Sequence, residues 1–227
     1  MRIARRIVAM LLALAILPLT LASCNRSYDE AEVIAAATEL ITASEVINEI
    51  YYGDGIKYLE NSDKNNGIYC EADPYDLEMY GFSTIAQLKE MTMTVFSKAH
   101  AERMFAGAFY GSFMQDGSST KARYYQKYVE SNNAAQRETP ECIMVCSKME
   151  KLLKGDVRYS LSEMTVKGSV GDIVYVLVPV TVSYEGKTQK QTLEIGLFEE
   201  EYGWRLETPT YATYNEFQDI YNELQKN

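Results

Sequence analysis

One histidine, one tryptophan and four cysteines in 227 residues leave little material for the commoner catalytic and metal-binding chemistries. A serine nucleophile needs a base beside it. This chain offers only His100 as a histidine, and no G-x-S-x-G elbow is present, which argues against that class of hydrolase. No CxxC pair accompanies His100, so no zinc site is expected. No glycine loop of the P-loop or dinucleotide type appears, so no nucleotide cofactor, nor any other, is expected. Basic charge is also scarce: 22 Lys and Arg stand against 32 Asp and Glu, for a net charge of −10. Phosphate backbones and anionic head groups repel such a chain, which removes nucleic acid from the expected partners. The apolar run Ile7 to Leu17 is too short to cross a bilayer, which takes about 20 helical residues.

What that run does have is a basic start. Arg2, Arg5 and Arg6 precede it, and Pro18 and Leu21-Ala22-Ser23-Cys24 follow, the layout of an export signal. The tetrapeptide resembles the lipobox of bacterial lipoproteins. That resemblance implies cleavage before Cys24 and a diacylglycerol thioether on its sulfur. Arg5-Arg6 lacks the flanks of a twin-arginine signal and reads as an ordinary basic region. The expectation is an extracytoplasmic protein held to a bacterial cell membrane through lipid on Cys24, with two or three acyl chains making the attachment effectively permanent. Removing residues 1–23 takes three arginines and no acid from the chain, leaving a net charge of −13.

Past Cys24 three cysteines remain, an odd number. Thr139 to Met149 reads as a strand, which separates Cys142 from Cys146 by about 13 Å, too far for a disulfide. Three buried free thiols at Cys70, Cys142 and Cys146 are expected, although Cys70 paired with one of the others stays open.

The mature chain reads as one α+β domain. Residues 24–30 hold the lipidated cysteine and a short tether, 31–207 form the domain, and 208–227 form a terminal helix. Ser27-Tyr28-Asp29-Glu30 has the capping-box pattern, and Val33, Ala37, Leu40, Ser44, Ile47 and Tyr51 recur at helical spacing after it. Gly53-Asp54-Gly55 ends that helix, and a short segment follows around Ile56 to Glu60. Thr84 to Gln87 is a second capping box, and Ser97 caps a further helix running through Ala108. Helical sequence thus fills 31–110 and sheet-forming sequence fills 121–207. Strands are predicted at Arg123–Val129, Thr139–Met149, Val157–Lys167 and Asp172–Tyr184. In the last, Val174, Val176, Val178, Val180 and Val182 share one face. Glu185-Gly186-Lys187 turns it into a returning strand with Leu193, Ile195 and Leu197 facing inward. A turn at Glu199–Gly203 then leads to Trp204–Glu207. Pro179 suggests a bulge or bend in the long strand. Thr213 to Glu216 caps a final helix with Phe217, Ile220, Tyr221 and Leu224 on one stripe.

Amino-terminal helices, a long valine strand, a Glu-Gly-Lys hairpin and an acid-rich turn before Gly203-Trp204-Arg205-Leu206 resemble the nuclear-transport-factor-2-like (cystatin-like, SnoaL-like) superfamily. The resemblance covers about residues 31–207. It implies helices packed on a curved antiparallel sheet that forms a cone, open as a pocket in some members and filled in others. Enzymes of that kind use a carboxylate base and an oxyanion-stabilising tyrosine or protonated acid in an apolar cavity. No residue here matches either role.

Candidate ligand-binding residues are Asp54, set between two glycines that permit close approach, Tyr51 beside it, and Tyr125 in the Tyr124-Tyr125-Tyr128 group. The ordinary alternatives are a helix C-cap turn for Asp54 and edge packing for the tyrosines. His100 is either a general base or, as expected here, a solvent-facing helix residue. The resulting expectation is a non-enzymatic binding or structural envelope protein that takes a small apolar ligand, a glycan or another envelope protein. The alternative is a SnoaL-like isomerase or dehydratase. A two-lobed solute binder would require more residues and alternating βα units.

Overall fold

A computed structural model describes residues 28–60, 68–111, 121–129, 140–149, 151, 155–184 and 186–210. Cys24 and residues 211–227 of the predicted terminal helix 208–227 lie outside this set, and the described residues 208–210 are not helical. The fold is α+β, with helices in the amino-terminal half and a strongly curled antiparallel sheet, a half-barrel, in the other.

Helix α1, Glu30–Tyr52, sets the frame. At 1.5 Å per residue it is about 34 Å long. Its N-cap is Asp29, not Ser27 as the capping-box pattern suggests: Asp29 is extended and its Oδ1 accepts from Ala31 N at 2.8 Å. Val33, Ala37, Ile41, Ser44 and Ile47 are buried along one stripe. That stripe lies in the trough of a five-stranded sheet made of β4 (Asp156–Tyr159), β5 (Thr165–Val170), β6 (Ile173–Tyr184), β7 (Lys187–Glu200) and β8 (Gly203–Leu206). The order is β4-β6-β7-β8, with β5 also pairing β6. The five valines of β6 face the helix and are at most 4% exposed, and Ile195, Leu197 and Leu206 join them at 0%. Burying a side chain of this kind stabilises by about 1.5 kcal/mol or more, so this seam is the main body of the core.

The predicted strand Val157–Lys167 is broken in two by the 3-10 turn Leu161–Glu163. The break explains Pro179. Ser160 N donates to Pro179 O at 2.8 Å, so the backbone of Pro179 points its missing donor at the gap between β4 and β5. Pro179 stays in register with Thr192, and the bulge lies in β5 between Val166 and Gly168. The expected bend at the proline is therefore an interruption of its neighbour.

A second, three-stranded sheet, in the order β1-β3-β2, covers the carboxy-terminal end of α1. It contains β1 (Tyr69–Glu71), β2 (Tyr124–Tyr128) and β3 (Pro140–Cys146). Helix α2, Pro74–Tyr80, starts at an Asp73 cap with proline at its first turn and ends at Gly81, where φ is 81°. Helix α3, Ile85–Val95, opens with the full Thr84–Gln87 capping box. Helix α4, Lys98–Phe105, is capped by Ser97 and passes into a π-turn at Ala106–Tyr110 instead of continuing as α-helix through Ala108. The segment after Gly55 is not helical: Tyr58 bridges Ala72 as extended chain. Cys70, Cys142 and Cys146 are all free, the first and last buried and Cys142 half-buried.

Candidate functional site

The structure does not bring Asp54, Tyr51 and Tyr125 together. Asp54 has a side chain 76% exposed and pairs with Lys151 at 3.0 Å. Its backbone N–H donates to Glu49 Oε1 at 2.7 Å, part of the turn that ends α1. Tyr51 is 3% exposed and points into the core, edge-on to Phe109, with its hydroxyl 3.0 Å from Thr92 Oγ1. Burial raises its pKa far above the ordinary tyrosine value, and burial likewise pushes Tyr52 up to about 12, so both phenols stay protonated. Tyr125 lies on the outer face of the small sheet, edge-on to Tyr69 at 4.9 Å between ring centres.

The glycine-flanked turn instead wraps a buried pair. Tyr124 OH donates to Ile50 O at 2.7 Å and accepts from Ile56 N at 3.1 Å and Arg123 Nε at 3.0 Å. Arg123 Nη2 donates to Gly53 O. The helix has no basic residue in its own last turn. Arg123 supplies the cation that the carbonyl end of the helix dipole favours, from a strand distant in sequence. Gly55 adopts φ 77°, and a Cβ there would stand 2.4 Å from Tyr124 OH. Its neighbours thus require glycine twice over, by conformation and by space.

His100 is a correction. It is 6% exposed, not solvent-facing, and its ring stacks on Phe96 at 4.9 Å. Nδ1 faces Arg103 Nη2 at 3.1 Å. Burial, then the Arg103 charge, lowers its pKa to about 4 against a backbone hydrogen bond at Glu207 that raises it. The ring is neutral near pH 7 and fastens α4 to the end of β8, where Ser97 N also donates to Leu206 O at 2.9 Å.

A second buried polar cluster carried no sequence signal. Ser44 Oγ lies 2.5 Å from Thr210 Oγ1, Asn48 Nδ2 donates to the same atom at 2.9 Å, and Tyr159 OH donates to Thr210 O at 2.7 Å. Ser44 fell on the helical stripe by spacing alone; its partner is 166 residues away. The cluster secures the chain after β8 against the carboxy-terminal half of α1.

Among the described residues, an open region lies outside the curled sheet. A groove of about 550 Å³ runs between the first turn of α4 and the outer face of the sheet. Ile173 and Phe198, directly paired across β6 and β7, form its floor with Ala99. Glu102, Asp172, Glu200 and Glu207 line it, against the single base Lys98. The chemistry of this lining suits an apolar group carried by a cation: the floor would remove hydrocarbon from water and the carboxylates would set the sign. Among the described residues no cluster of three or more His, Cys, Asp or Glu is placed to hold a metal ion, and no helix is long and apolar enough to cross a membrane. No protein-family model and no curated protein matches the chain.

Proposed function

We propose that this chain is a lipid-anchored extracytoplasmic protein of nuclear-transport-factor-2-like build that binds an envelope partner through its outer surface and carries out no chemistry of its own. The carrying observation is the filled trough. The space a ligand occupies in an open cone is taken by Val176, Val178, Ile195 and Leu197 against Ala37 and Ile41, all at 0% exposure. The curled sheet around α1 supports the superfamily reading, and Leu21 to Cys24 supports the anchor. Against an isomerase of the SnoaL kind, Tyr51 hydrogen-bonds Thr92 inside the core and Asp54 sits outside, paired with Lys151.

The groove beside α4 is the binding site in this reading, and its occupant is a cationic amphipathic segment of another envelope protein. The test is a titration of the mature chain bearing Cys24→Ala with a peptide of alternating leucine and lysine, followed by backbone amide shifts. Shifts are expected at Ala99, Ile173 and Phe198, weakening as salt screens the acidic rim. A Glu200→Gln, Glu102→Gln double variant is expected to bind more weakly. Shifts confined to the small sheet, or an affinity indifferent to salt, would remove the groove from the account. Turnover of a small apolar ligand by the purified chain would favour the isomerase.

A further inference from the structure

Two hairpin turns meet the start of α1 at one end of the domain. In the β5–β6 turn Val170 is 72% exposed, and in the β7–β8 turn Tyr202 is 82% exposed, the highest value among the large apolar side chains described. The contact with the helix is direct: Tyr28, Asp29 and Glu32 share a cleft of about 120 Å³ with Gly171, Glu199 and Trp204. Trp204 Nε1 also lies 3.4 Å from Glu32 Oε1. The β6–β7 hairpin, by contrast, lies about 36 Å further along β6, which has twelve residues at about 3.3 Å each.

Four residue steps separate Tyr28 from Cys24. Whatever conformation they take, they span no more than about 14 Å. A lipid on Cys24 would therefore keep this end within about 14 Å of the anchoring sulfur. The end is also chemically suited to a lipid surface of low charge. A tyrosine ring with its hydroxyl at the tip favours the head-group layer. Val170 adds hydrocarbon beside it. The surrounding acids, Asp29, Glu30, Asp172, Glu199, Glu200 and Glu201, bring like charge towards anionic head groups and so disfavour an anionic surface.

We propose that the β5–β6 and β7–β8 turns form a membrane-contacting face, with Tyr202 seated in the head-group layer of a zwitterionic lipid surface and the groove beside α4 opening close above it. This rests on the lipid anchor proposed above. The orientation it gives is specific: α1 stands away from the membrane and the Gly53–Gly55 turn, with α2, lies at the distal end.

The single tryptophan makes the test direct. The full chain, processed in a bacterial membrane and reconstituted in phosphatidylcholine vesicles containing a head-group nitroxide lipid, is compared in two variants. Both carry Trp204→Phe; one adds Tyr202→Trp and the other Tyr75→Trp, a position 76% exposed on α2. Flotation with the vesicles is read first, then quenching. The expected result is flotation of both, with Tyr202→Trp quenched several-fold more strongly and its emission shifted to the blue. The difference is expected to shrink when phosphatidylglycerol replaces part of the phosphatidylcholine. Equal quenching of two floating variants would overturn the membrane face and leave the anchor standing. Chains that stay in the aqueous fraction would overturn both. Unmodified chain gives an independent check, because Trp204 at the same end is expected to lose accessibility to aqueous iodide on reconstitution.

Discussion

At the scale of single residues, the side chains with the strongest environments here serve the fold. Tyr124 OH donates to Ile50 O at the carbonyl end of α1 and accepts from Ile56 N and Arg123 Nε, and Arg123 brings the basic charge that the last turn of the helix lacks. His100 is the residue whose protonation the fold resists. Its unfolded pKa is near 6.5 and its folded value is about 4, so between those values the unfolded chain binds more protons and stability falls as pH falls. The contribution is fully present above about pH 6.5 and is lost down to about pH 4, for a total near 3 kcal/mol. Denaturant unfolding of wild type and His100→Gln across this range checks it. The variant is expected to lose stability less steeply as the solution is acidified, with carboxylate effects common to both. Equal slopes would mean the imidazole is not held neutral. A helix histidine is ordinarily solvent-facing, and nothing local in the sequence of α4 reveals that His100 lies on its buried side. Its cover, Phe96 and the end of β8, comes from one turn before the helix and from a strand 100 residues later.

At the scale of elements, much of the architecture was legible because strong periodicity and local chemistry agree. The valines of β6, the Thr84 capping box, the Ser97 cap and the Gly186 hairpin each act through neighbours a few residues apart, and each lies where the pattern puts it. Short elements escaped notice. Helix α2 has an Asp73 cap, Pro74 and a Gly81 stop, all readable signs, but seven residues give no periodicity. Strand β1 has three residues and exists through Cys146, Val145 and Met144 across the sheet. The candidate site was less legible still. The groove joins α4 to β6 and β7, which no local pattern relates, and Asp54 looked functional because glycine turns serve ligands and helix ends alike. Two glycines separate these causes. Gly55 and Gly81 have nearly the same φ, 77° and 81°, but a Cβ at Gly81 meets nothing within 4 Å while one at Gly55 meets Tyr124 OH and Arg123. Gly81→Ala is expected to cost about 1–2 kcal/mol from backbone strain alone. Gly55→Ala carries the same strain and also displaces the cap of α1, so its unfolding midpoint is expected to fall distinctly further. Equal losses would show that the Arg123–Tyr124 pair yields without cost.

At the scale of the whole molecule, the curled sheet and α1 make one core from opposite halves of the chain, and Thr210 ties the end of the sheet back to Ser44 and Asn48. In the proposed reading function rests on surfaces: an acid-rimmed groove, two exposed hairpin tips, and a lipid on Cys24 ahead of the domain. Charge is compatible with the proposed anchor, since an acidic domain repels anionic surfaces and a lipid on Cys24 would hold it beside one. The proposed anchoring stands or falls with Cys24, and the intact mass of the membrane-extracted protein tests it most directly. The predicted result is a chain beginning at Cys24 and heavier than residues 24–227 by a diacylglycerol, with or without a further acyl chain, and a Cys24→Ala chain that leaves the membrane fraction or keeps its leader. A wild-type mass equal to an unlipidated chain, cut at another position, would contradict it.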